Sequence, residues 1–132
     1  MSEQDDIYAI HVVDEVYILF EKVVKIHRGR VFKRVADGFL AEFPSAETAV
    51  VAAIKFTKTI KEEKFKILEG FPSAAIRTGI HIGDVAERPD GDLLGHGVNV
   101  AVRLQEQASK NGILISKNVF DLLGQNLSLI HI

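Results

Sequence analysis

Between Asp6 and His27 the apolar residues Ile7, Ile10, Val13, Tyr17, Phe20 and Val24 recur at steps of three and four. That is the period at which one face of an α-helix meets a core. Asp5 or Asp6 stands where a cap is wanted, and Lys25, His27 and Arg28 put cations at the C-terminal end of the helix dipole. Gly29 is expected to close the helix in a left-handed conformation. Two short runs rich in Val, Phe and Leu follow, Arg30 to Ala36 and Gly38 to Phe43. The Asp37-Gly38 step between them favours a tight hairpin turn. Pro44-Ser45 breaks the second run, and Ser45 with Thr48 forms an N-terminal cap. The helix after it carries Ala49, Ala52, Ala53, Phe56 and Ile60 on one face and ends in a mixed-charge stretch, Lys58 to Lys66.

Gly70-Phe71-Pro72-Ser73 reads as a loop. Ala75 to Val85 reads as a strand, with Ile76, Ile80 and Ile82 alternating in part with polar residues, and the Pro89-Asp90-Gly91-Asp92 turn pairs it with whatever follows. A helix is predicted from about Gly97 to Ser109, its stripe made by Val98, Ala101, Val102 and Leu104. Asn111-Gly112 turns the chain into the strand Ile113-Leu114-Ile115, and Ser116 caps a short helix through Leu123. The order is helix, hairpin, helix, hairpin, helix, strand, helix. It predicts an α+β or α/β sandwich, with helices on one face of a mostly antiparallel sheet. The first helix has no strand before it, where such a sheet normally starts with one. Residues Leu127 to Ile132 follow the last helix with no turn signal beyond Gly124. A reading frame through a common transposon sequencing-adapter end encodes the same hexapeptide, so 127–132 is expected to be a non-native tail behind a single domain, 1–126.

Composition narrows the class. A chain of 132 residues suits one core, and 47% hydrophobic with 26% charged residues is ordinary for a soluble fold. A net charge of −2 gives no general pull toward nucleic acid or acidic lipid. With no cysteine there is no disulfide and no thiolate metal site, which fits a reducing interior. No run approaches the ~18 apolar residues of a membrane span. The acidic N-terminus is no signal peptide, and a cytoplasmic segment is expected. The histidines show no H-x-x-x-H spacing, so zinc is not indicated, and His81 is read as a structural residue in a strand.

Three groups carry candidate chemistry. Asp37 at a hairpin tip could hold a hard divalent ion, although Asp-Gly is also a common turn in its own right. Lys33, four residues back on the strand, points to the same face. Asp92 in Asp90-Gly91-Asp92 could accept from the exocyclic amine of a purine, or could simply serve the turn. Asn99 and Arg103 share a helix face as i and i+4. Arg103 could neutralise charge on a transferring phosphoryl group and Asn99 could hold a sugar, or both could be surface polar residues.

Taken together, Lys-x-x-Ala-Asp-Gly from Lys33, Arg-x-Gly-Ile-His-x-Gly-Asp-Val from Arg77 and Asp-x-x-Gly-x-x-Val-Asn-x-Ala-x-Arg from Asp92 to Arg103 resemble class III nucleotidyl cyclases. The likeness continues through Gly112-Ile113-Leu114-Ile115-Ser116 and runs from the first helix to about Leu123. It implies a ferredoxin-like nucleotide cyclase fold whose first strand, with one of two metal aspartates, is missing here. It implies that Asp37 is the other of the two metal-binding aspartates, in a site that holds two Mg²⁺ or Mn²⁺ ions in the complete domain, and that Lys33 and Asp92 recognise adenine. Asn99 and Arg103 would position the ribose and stabilise the transition state. The implied activity is an adenylate cyclase, ATP giving cyclic AMP and pyrophosphate, in a homodimer whose sites are shared across the interface. Ala36 stands where the family usually has glycine, and the family's C-terminal hairpin is absent. A catalytically inactive nucleotide-binding or dimerisation fragment is the alternative. A diguanylate cyclase-like domain wants Gly-Gly-Asp/Glu-Glu-Phe, and Ala36-Asp37-Gly38-Phe39 lacks the second acid.

Overall fold

The computed structural model describes residues 3–35, 38–67 and 76–123, without the side chains of 3–13, 35 and 63–67. The Asp37 turn, the loop at Gly70-Phe71-Pro72-Ser73 and the tail at 127–132 lie outside what it describes, whereas Asp5 and Asp6 fall inside the first helix, which already begins at Glu3, so neither caps its start.

Helix α1 spans Glu3–Ile26 and buries Val16, Val23 and Val24 along one stripe. Its end differs from the expectation. The left-handed residue is Arg28, at φ 64, not Gly29. The Gly29 N–H reaches back to the Val24 carbonyl at 2.8 Å and the Arg28 N–H to Lys25 at 3.1 Å, the paired bonds of a Schellman close. Gly29 is needed for space. A Cβ there would lie 2.7 Å from the Phe43 ring and 2.9 Å from the Glu42 carbonyl, so the chain leaves α1 pressed directly against the next hairpin.

That hairpin pairs β1 (Arg30–Val35) with β2 (Gly38–Glu42), antiparallel, with Arg30 opposite Glu42 and Val31 opposite Ala41. The register then slips. Lys33, not Phe32, faces Leu40, so β1 carries one extra residue at Phe32. Helix α2 (Ala46–Ile67) starts where Ser45 Oγ accepts the Thr48 N–H at 3.2 Å. Thr48 Oγ1 accepts the Ser45 N–H at 3.3 Å, completing the reciprocal cap expected from the sequence.

The chain then forms β3 (Thr78–Ile80), β4 (Ala86–Glu87), β5 (Leu93–Leu94), helix α3 (His96–Gln107), β6 (Ile113–Ile115) and helix α4 (Lys117–Leu123). Two readings need correction. The strand expected over 75–85 stops at Ile80, and its partner is the distant β6, in parallel, with Gly79 opposite Leu114. The following hairpin is instead β4 with β5. The cause is α3, which lies so close that a Cβ on Gly79 would meet the Gln105 nitrogen at 2.4 Å and the Ala101 carbonyl at 2.5 Å. Beyond Ile80 the backbone bends over the start of α3, and the Asp84 carbonyl accepts the Gly97 N–H at 3.3 Å. His81 therefore falls just past β3 and outside any strand, with a buried Nδ1 that has no hydrogen-bond partner among the described residues.

Helices thus pack on short strands in an α+β arrangement, with two antiparallel pairs and one parallel pair among the described residues. One core joins Val16 and Val23 of α1 to Ala52, Phe56 and Ile60 of α2, with Phe20, Phe39 and Phe43 against them. Phe20 sits 5.2 Å from Phe39 and 5.3 Å from Phe56, ring centre to ring centre. A second core joins Val50 and Ala53 of α2 to Ile80, Val119 and Leu123. Between the two, a cavity of about 1070 Å³ is walled by β2 on one side and β3 on the other, with Phe39, Phe43, Ile76 and Val98 among its lining. Among the described residues β2 pairs only with β1 and β3 only with β6, so each presents one unpaired edge.

Gly79 supplies a direct test of the β3–α3 contact. Gly79→Ala would put a methyl into helix backbone that cannot swing aside, and the expected cost is about 1–3 kcal/mol. Urea unfolding of the variant should show a lowered midpoint with an unchanged slope.

Candidate functional site

The hairpin β4–β5 hangs between the sheet and α3, and its turn places Asp92. The Gly91 N–H donates to the Arg88 carbonyl, and the Arg88 N–H donates to the Asp92 carbonyl, both at 2.8 Å. Gly91 takes φ 90, a conformation in which a side chain would be strained. The Asp92 N–H donates to Asp90 Oδ1 at 3.0 Å, and Asp92 Oδ1 accepts the Leu93 N–H at 2.9 Å. One carboxylate oxygen of Asp92 is thus held by backbone, and the other points away.

That other oxygen faces the first strand. Lys33 Nζ lies 3.7 Å from Asp92 Oδ2, with the aspartate side chain 21% exposed and the lysine 46%. Two residues 59 positions apart, singled out in the sequence as a recognition pair, are therefore brought together. The pair sets a hydrogen-bond donor beside an acceptor. At this exposure the ion pair contributes little to stability, on the order of 0–1 kcal/mol, so its value lies in what it meets.

Arg30 was not singled out by the sequence, yet it belongs to the same neighbourhood. Its Nε donates to Glu42 Oε1 across the β1–β2 ladder at 2.8 Å, and its Nη2 stands 3.8 Å from Glu87 Oε1 on β4. The hydrogen bond to Glu42 and the charges of Glu42 and Glu87 raise its pKa above the ordinary arginine value against opposing desolvation. A Cβ on Gly91 would lie 3.1 Å from Arg30 Nη1, so the guanidinium rests on the turn that carries Asp92.

Asn99 and Arg103 occupy the exposed face of α3, one turn apart as expected. Neither side chain makes a hydrogen bond or ion pair among the described residues. The structure therefore brings together one pair of the candidates and leaves the other pair facing outward. Asp37 lies outside the described residues. No group of three or more His, Asp or Glu side chains fit to hold a metal ion occurs among those described.

The decisive comparison is with family models. That for the adenylate and guanylate cyclase catalytic domain matches residues 1–131. The chain belongs to this family. Among cyclases of known sequence, the chain is 38% identical over 103 residues to putative adenylate cyclase 3 of Rhizobium meliloti (strain 1021), covering 78% of this chain and 17% of that protein. It thus spans about a sixth of the length of that cyclase. Among solved structures, the adenylate/guanylate cyclase/hydrolase of Silicibacter pomeroyi is 26% identical with a TM-score of 0.70, over 95% of this chain and 69% of that one. The monomeric guanylyl cyclase domain of the RhoGC fusion protein of Blastocladiella emersonii is 22% identical with a TM-score of 0.77, over 95% and 75%. The cyclase fold expected from the motifs is the fold observed. No helix among the described residues is long and apolar enough to cross a membrane.

Proposed function

We propose that this chain is the nucleotide-binding and catalytic part of an adenylate cyclase, a lyase that converts ATP into 3′,5′-cyclic AMP and pyrophosphate. The observation that carries the reading is the Lys33–Asp92 pair at 3.7 Å. Adenine offers an acceptor, N1, beside a donor, the 6-amino group, and Lys33 and Asp92 offer the complementary donor and acceptor. Guanine presents the reverse at both atoms, so each protein group would face an unmatched partner.

In the reaction the ribose 3′-oxygen attacks the α-phosphorus. A 3′-O–P bond forms as the bond to the bridging oxygen of the pyrophosphate breaks, and the hydroxyl proton passes to solvent. Arg103, with no partner among the described residues, is free to neutralise the charge that builds on the phosphoryl oxygens. Asn99, one turn before it, orients the ribose. Asp37 is the residue of this chain that would hold a Mg²⁺ or Mn²⁺ ion, and a divalent ion supplies charge neutralisation to the triphosphate when bound. Asn99 and Arg103 face outward from α3, which supports a homodimer whose partner completes the site.

The test is base selectivity in the parent protein. ATP is expected to be turned over in preference to GTP, and the Lys33→Glu, Asp92→Cys double variant should lose that preference. Each mismatched group is expected to cost about 1–3 kcal/mol, or roughly 5- to 150-fold in relative kcat/KM. Equal turnover of the two nucleotides by the unaltered protein would refute the assignment, as would a double variant that kept its preference for ATP.

A further inference from the structure

We infer that Arg30 is a positioning residue for base selection: it clamps the β4–β5 hairpin to β1 and thereby sets the separation of Lys33 and Asp92. The inference rests on the proposed reading of that pair as the base-recognition site.

The strand register places Arg30 and Lys33 together. Arg30 and Lys33 are three residues apart, and in a regular strand an odd spacing sends two side chains to opposite faces. The extra residue at Phe32 changes this. Arg30 stands opposite Glu42 and Lys33 opposite Leu40, and Glu42 and Leu40 are two apart on β2, hence on one face. Directly opposed residues share a face, so the bulge returns Arg30 and Lys33 to the same side of the hairpin. Both then reach the same target. Lys33 meets Asp92 at the start of β5, and Arg30 meets Glu87 on β4, the two arms of one small hairpin.

That hairpin has little else to hold it in place. It pairs only two residues with two, Ala86 with Leu94 and Glu87 with Leu93. Apart from Leu93, which is buried, Val85, Ala86, Glu87 and Leu94 are all exposed. A rigid fork suits the task. The Arg30 guanidinium is fixed on one side by its 2.8 Å bond to Glu42 and offers its remaining nitrogens to Glu87 and to the Gly91 turn. Nη2 is buried and makes no hydrogen bond among the described residues. A buried donor without an acceptor is costly, and Glu87, at 3.8 Å, would satisfy it after a short inward movement of β4. Such a movement draws the Asp92 turn toward Lys33. The separation of Lys33 and Asp92 is thus set from Arg30.

Three variants of the parent protein test this: Arg30→Lys, Arg30→Ala and Glu87→Gln, each assayed with ATP and with GTP beside the Lys33→Glu, Asp92→Cys double variant. Arg30→Ala is expected to raise KM for ATP and lower the ATP-over-GTP ratio by on the order of tenfold, with kcat changed much less. Glu87→Gln keeps the Glu42 bond and removes only the second arm, so it should move selectivity the same way by a smaller factor. Arg30→Lys keeps charge but cannot bridge both carboxylates, and should fall between Arg30→Ala and the unaltered protein. A merely structural role would lower kcat and thermal midpoint while leaving the nucleotide ratio untouched, and that result would overturn the inference. If Arg30→Ala does not fold, an unchanged ratio in both Glu87→Gln and Arg30→Lys overturns it equally. Should the double variant shift selectivity while the Arg30 and Glu87 variants do not, the clamp fails and the base-site reading stands. If the double variant leaves selectivity unchanged, the base-site reading and the clamp fail together.

Discussion

Arg103→Ala in the parent protein is expected to lower kcat for cyclic AMP formation by on the order of 10³-fold, the scale found when a charge-neutralising group is removed from a phosphoryl-transfer site. Asp37→Ala should be as severe. The two losses are expected to be complementary. Arg103 points outward from α3 and has no partner among the described residues, and in the proposed homodimer it would meet the substrate on a surface shared with a second copy. In a mixture of the two variants, each heterodimer has one site carrying both substitutions and one carrying neither. Half of the dimers are mixed if chains exchange freely, so activity should return to about a quarter of the unaltered level. The measurement is cyclic AMP formation by the mixture, with chain exchange shown independently by differently tagged protomers. A mixture that exchanges and stays inactive would place Asp37 and Arg103 in one chain's own site, and the homodimer model would lose its main support.

The second large effect concerns the cavity between β2 and β3. The 132-residue chain alone is expected to form no cyclic AMP from ATP and Mn²⁺. Its extension at the N-terminus by the parent protein's own preceding residues is expected to restore activity. Two observations motivate this. The edges of β2 and β3 are both unpaired among the described residues and wall a cavity of about 1070 Å³. Unsatisfied strand edges beside apolar surface invite a further strand. The second is the resemblance of the motifs, which implies a further strand bearing a second metal aspartate. A strand added between β2 and β3 would join the two cores, pair both edges and bring in a carboxylate. The extended protein should also gain at least about 2–4 °C in Tm, since burying that surface contributes more than 1 kcal/mol. Cyclic AMP formed readily by the purified 132-residue chain would overturn this expectation.

Much of the architecture was legible because its signals are local. The stripes of α1 and α2, the reciprocal cap of Ser45 and Thr48, and the Ser116 start of α4 depend on residues within a turn or two of each other. The i, i+4 relation of Asn99 and Arg103 follows from helix geometry alone. The motif spacings were enough to expect the cyclase fold, because they record which residues must converge even where the path between them is not visible.

What the tertiary structure decided is where one element presses on another. Gly29 is required for space because a side chain there would meet Phe43 and the Glu42 carbonyl, and Phe43 is distant in the chain. The strand over 75–85 stops at Ile80 because α3 lies against Gly79 and takes the Asp84 carbonyl for its own first turn. The parallel partnership of β3 with β6 joins residues 35 positions apart, and periodicity carries no information about partners. The bulge at Phe32 leaves no trace in the apolar pattern, yet it alone puts Arg30 beside Lys33. For that reason the Arg30–Glu42–Glu87 group could not be found from the sequence, whereas Lys33 and Asp92 could. Residue type and spacing determine what chemistry a chain can offer; which groups meet, and at what distance, is settled by packing between segments that are remote in the chain.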